Sequence, residues 1–145
     1  MDRREVLQAG VAVLVGAAGA ASPAAARQVR PGSQSKPLGA HPLGASFEGW
    51  QGTMIEVTYP PGAESASHQH PGPTFGYVVR GKIRWAINGE APRVLEAGQS
   101  FFEPMGAVHS TAANASDTEP AVIMAVILGK PGEPLSKPAT KSPGQ

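Results

Sequence analysis

The sequence predicts a small all-β protein, an antiparallel barrel or sandwich, from three observations. Hydrophobic residues alternate with period two in short runs. Eighteen glycines and fifteen prolines among 145 residues break up those runs, and no stretch beyond residue 26 holds the period of an amphipathic helix. The chain has no cysteine, so any metal it holds must rest on histidine and oxygen. Its formal net charge of +1 gives no electrostatic basis for a nucleic-acid partner.

In chain order, Arg3-Arg4 precedes an Ala/Gly/Val-rich run from Ala9 to Ala21, and Ala24-Ala25-Ala26 offers small residues at a cleavage site. Residues 1–26 therefore read as a cleaved signal peptide similar to twin-arginine export signals, which implies a periplasmic or secreted protein exported already folded. The apolar run is too short to span a bilayer, so no stable membrane anchor is expected. Residues 27–47, rich in Pro, Gly, Ser and Gln, predict an extended N-terminal arm with His41 as a solvated loop residue.

The barrel is expected over 48–129. Ile55, Val57 and Tyr59 oppose Met54, Glu56 and Thr58, the pattern of a half-buried strand ended by Pro60-Pro61-Gly62. Phe75 to Arg80 and Lys82 to Ile87 are the next strands. Asn88-Gly89 is a hairpin signal before Arg93-Val94-Leu95. Ser100 to Glu103 follows the Ala97-Gly98 turn, a strand starts near His109, and the apolar run Ala121 to Leu128 has strand length. Tyr77 and Val79 fall on the outer face of their strand, which needs a cover. The Pro/Lys/Ser-rich residues 130–145 predict a flexible tail.

Three of the four histidines are spaced to meet at one ion. Residues at i and i+2 of a strand point to the same side, so His68 and His70 share a face, and His109 from a paired strand completes a set. Imidazoles bind divalent zinc, iron, manganese, nickel or copper, with affinities whose order does not reveal the ion present.

Written out, the blocks are Gly62-x5-His68-x-His70-x3-Thr74-x6-Gly81 and Gly98-x5-Pro104-x-Gly106-x2-His109-x4-Asn114. They resemble the two signature motifs of the cupin superfamily, the first at all positions but one, the second with a single extra residue before Asn114. The resemblance implies a conical β-barrel of the double-stranded β-helix, jelly-roll-like type, a homodimer, and one divalent transition metal on His68, His70 and His109. It favours ferrous iron, as in three-histidine dioxygenases that act on small chelating substrates.

Thr74 stands where the family has a glutamate ligand. A neutral hydroxyl replaces a carboxylate poorly, so a three-histidine centre of higher positive charge is expected. Glu103 is the nearest spare carboxylate by motif position, a base or fourth ligand if its strand turns it inward and a solvated surface residue otherwise. The reading of function is an exported metal-binding oxidoreductase of dioxygenase type. The alternative is a non-catalytic periplasmic module that binds a small molecule or a metal.

Overall fold

The computed structural model describes residues 32–140, and the signal peptide expected over 1–26 lies outside them. The described residues form eleven strands and one short 3-10 turn, with no α-helix. In order the strands are β1 (Gln34–Pro42), β2 (Gln51–Tyr59), β3 (Glu64–Ser65), β4 (His68–Gln69), β5 (Thr74–Arg80) and β6 (Lys82–Ile87). They continue as β7 (Arg93–Glu96), β8 (Ser100–Glu103), β9 (Val108–Asn114), β10 (Ala121–Gly129) and β11 (Lys137–Pro138).

One sheet runs β1-β2-β10-β5-β8 and the other β11-β4-β9-β6-β7, with β3 paired to β9. Every pairing is antiparallel. The all-β jelly-roll expectation therefore holds, with two facing sheets in place of one closed ladder. Alternation places the core between them: Ile55, Val57, Tyr59, Val78, Phe101, Ile123 and Ile127 from the first sheet meet Ile83, Trp85, Leu95 and Ala112 from the second. Asn88 and Gly89 both have positive φ, and with them the chain reverses after β6.

Both flanks of the chain differ from what composition implied. The segment read as an arm forms β1 from Gln34 onward, and His41 lies exposed in that strand opposite Gly52 instead of in a loop. Hydrogen bonding to β2 secures a segment too poor in apolar residues to bury itself. Beyond Gly129, read as a flexible tail, Lys137 and Pro138 pair with Gln69 and His68, and Leu135 packs on the core.

The extra residue before Asn114 is taken up by a β-bulge. On β9, Thr111 pairs with Ala86 and His109 with Ile87, so Ser110 is the unpaired residue. Its hydroxyl donates to the Ala86 carbonyl and accepts from the Gly89 N–H. Because one inserted residue would otherwise flip every side chain beyond it, the bulge keeps His109, Ala112 and Asn114 all facing inward.

Asn114 has a structural role. Its amide nitrogen donates to the carbonyls of Tyr59, Pro60 and Glu119 while its oxygen accepts from Ser116 N–H, tying the end of β2 to the β9–β10 loop. Asn114→Ala leaves several of these groups unpaired, and the expected cost is about 2–4 kcal/mol, read as a lower midpoint in urea unfolding.

Candidate metal centre

β4 and β9 are neighbours with His68 directly opposite His109, and His70 follows β4 by one residue, so backbone register alone brings the three together. One ring nitrogen from each lies within 4.8 Å of the others. The ring centroids of His68 and His70, and of His68 and His109, are 4.9 Å apart. Such a group could hold a metal ion.

The donor set fits one. His68 Nδ1 donates to the Ala66 carbonyl at 2.8 Å and His70 Nδ1 to the Leu135 carbonyl at 2.7 Å. A carbonyl only accepts, so each ring carries a proton on Nδ1, and the neutral form of each has its lone pair on Nε2. Both nitrogens of His109 are buried without a hydrogen-bond partner. An unpaired buried polar group costs about 1–3 kcal/mol, which a coordinated cation would offset.

Glu103 points inward, so the solvated-surface alternative does not hold. It is 2% exposed, with Oε1 3.1 Å from His109 Nδ1 and Oε2 3.6 Å from His70 Nε2. Register explains its place: Glu103 on β8 sits opposite Thr74 on β5. Thr74 is itself buried, and its hydroxyl makes a long 3.4 Å contact to the Gly72 carbonyl. The site thus has a carboxylate one strand away from where the motif calls for it.

Burial pushes the Glu103 carboxyl up to about 7, and the Trp85 indole N–H beside it pulls back slightly, though neither group closes a hydrogen bond of ordinary geometry. Burial, with the neighbouring charges of His68 and His70, pushes His109 down to about 3, with a backbone contact to Thr111 opposing. Burial also lowers His70. The His109–Glu103 contact is therefore between a neutral ring and a carboxyl group, not between two full charges.

These shifts set the pH dependence of the metal-free protein. Between pH 6.5 and about 3 the unfolded chain protonates His109 and the folded one does not, so this residue makes stability fall as pH falls. Between 4.5 and about 7 the unfolded chain ionises Glu103 and the folded one resists, so stability falls as pH rises. The two oppose each other where they overlap. His70, lowered as well, adds to the fall toward acid, so urea midpoints in the presence of a chelator are expected to rise from pH 3 toward about 6.5 and to stop rising by roughly pH 7, where ionisation of Glu103 opposes them; a steady rise to pH 8 would contradict this.

A cavity of about 250 Å³ opens beside His70, lined by Gln69, Pro71, Met105, Pro134 and Lys137 among others. The chain beyond β10 forms one wall. Sequence reasoning singled out His68, His70, His109, Thr74 and Glu103, and all five lie together here. It missed the Leu135 carbonyl and Trp85. Leu135 lies 65 residues from His70, and no local pattern connects them. Trp85 was legible as an inward residue of β6, and the shared parity of Phe101 and Glu103 could have signalled that Glu103 turns inward.

Fold and site together define a small double-stranded β-helix protein with a three-histidine group able to hold a metal. Residues 55–127, half of the chain, match the cupin domain family, and the chain belongs to it. Among solved structures it is similar to a Klebsiella pneumoniae protein with a double-stranded β-helix domain, at 27% identity and a TM-score of 0.51, covering 62% of this chain and 76% of that one. A cupin-like protein from Thermotoga maritima is 25% identical with a TM-score of 0.50, covering 66% and 67%. A cupin domain from Bordetella pertussis shares the fold at 22% identity and a TM-score of 0.55, covering 69% and 96%. No curated protein matches the chain.

Proposed function

We propose that this protein is an exported cupin that holds one divalent transition metal, ferrous iron foremost, on His68, His70 and His109 and acts as an oxidoreductase on a small chelating substrate. The observation that carries the reading is the tautomer pattern: His68 and His70 have Nδ1 tied to a carbonyl, which leaves Nε2 for a metal. When bound, the ion supplies a Lewis-acidic centre at which a chelating substrate and dioxygen can meet. The chain's own part is to orient the imidazoles, to admit substrate through the cavity beside His70, and to keep Phe101 and Trp85 as apolar backing around His109.

Anaerobic purification with elemental analysis tests the metal claim, with about one iron per chain expected. Oxygen uptake by the ferrous protein is then measured across β-diketones, thiols and 2-oxo acids. Uptake with one class establishes the reaction; tight binding without uptake assigns the protein to the non-catalytic alternative. Export is checked by fusing residues 1–31 to a reporter and asking whether Arg3→Lys/Arg4→Lys retains it in the cytoplasm.

The homodimer belongs to the same proposal. Phe75, Tyr77, Val79 and Phe102 are exposed on the outer face of β5 and β8, with the Phe75 and Phe102 rings 4.9 Å apart. An apolar face of this kind favours a partner. Sedimentation is expected to give a dimer that Tyr77→Asp converts to monomer, and a monomeric wild type would refute it.

A further inference from the structure

Glu103 is the feature of the site that a three-histidine centre does not require. Its carboxyl group is buried, neither of its oxygens has a hydrogen-bond partner, and Oε1 lies 3.1 Å from the equally unpartnered Nδ1 of His109. The other two imidazoles each have an oxygen on Nδ1, from Ala66 and from Leu135. His109 has no such carbonyl at bonding geometry, and the Glu103 carboxyl oxygen stands in that place. We infer that Glu103 is the positioning residue of His109: it accepts the Nδ1–H and so turns Nε2 of that ring toward the ion.

The strand register supports this role. Thr74 and Glu103 are cross-strand partners, both buried, so the carboxyl group lost at position 74 is present on β8, beside His109. Of the two imidazoles it approaches, His109 is the nearer: Oε1 is 3.1 Å from His109 Nδ1, whereas Oε2 is 3.6 Å from His70 Nε2. The Trp85 indole N–H also lies beside this carboxyl group without closing a hydrogen bond to it. A carboxyl group behind a ligating imidazole fixes both tautomer and ring orientation, and losing it weakens metal binding by about 10–100-fold.

The inference rests on the three histidines binding a metal, so its test reads the metal-free protein as well. Long-range nitrogen-proton NMR spectra of metal-free protein report the His109 tautomer, and Co2+ titration reports affinity. In the wild type His109 is expected as the Nδ1–H form. Glu103→Gln, whose amide oxygen also accepts, keeps that tautomer and binds Co2+ within about threefold of wild type, whereas Glu103→Leu shifts the tautomer toward Nε2–H and binds about 10–100-fold more weakly. A wild-type tautomer in Glu103→Leu overturns the inference whatever the affinity does. So does an equal loss of affinity in the Gln and Leu variants, because Glu103 would then act as a ligand or a charge. Should the wild type bind no Co2+, the metal reading fails, and the tautomer spectra still decide the role of Glu103.

Discussion

Replacing His68 and His109 together by alanine is expected to reduce bound metal from about one ion per chain to less than about 0.1, because a single remaining imidazole cannot hold a divalent ion against water. The expectation follows from the backbone: these two residues face each other across β4 and β9, so both sides of the site are lost together. His109 is also part of the packing, with its ring centroid 6.2 Å from that of Trp85 and 6.3 Å from that of Phe101. Its truncation leaves a cavity and is expected to cost about 2–4 kcal/mol in its own right. The variant His68→Ala/His70→Ala removes two half-buried rings instead and separates metal loss from core damage. Equal metal content in all three proteins, measured by mass spectrometry of the dialysed samples, would end the metal proposal.

The second large effect is expected at Gly76. A Cβ there would sit 1.9 Å from Cζ of Phe101, far inside contact distance. The ring cannot retreat easily: it is buried, and it packs on Trp85 at 5.5 Å between centroids. Gly76→Ala is therefore expected to destabilise by about 3 kcal/mol through overpacking, lowering Tm by roughly 10 °C. Because Phe101 also neighbours His109, metal affinity should fall along with stability. Val79→Ala, on the exposed face of the same strand, is the comparison and should cost under about 1 kcal/mol. A Gly76→Ala protein with wild-type Tm would show that the core around Phe101 yields more readily than its packing implies.

The contrast between β5 and β9 shows why some of the site was legible and some was not. In β5, strict alternation of Thr74, Gly76 and Val78 against Phe75, Tyr77 and Val79 assigned the buried and exposed faces from sequence alone, and burial follows that assignment. In β9 the same rule, counted from His109, would turn Asn114 outward. The bulge at Ser110 reverses that parity, and only pairing with β6 reveals it. The histidine spacing was readable because it depends on two local runs. Glu103 was readable only in part: it shares the parity of Phe101, but Phe101 and Phe102 are both apolar, and the pairing of β8 with β5 decides which of the two faces turns inward.

By itself, then, the sequence determined the strand periods, the turns at Asn88-Gly89 and its Gly and Pro neighbours, the cupin spacing, and the three histidines, all properties carried within a few residues of one another. Tertiary structure decided what long-range pairing controls: that Gln34–Pro42 becomes an edge strand, that Leu135 comes back to fix His70, and that the carboxyl group absent at Thr74 stands on the neighbouring strand at Glu103. The physical reason is that hydrogen bonds between distant strands leave no periodic signature in either partner, because each side chain's surroundings are set by register and not by its neighbours in sequence.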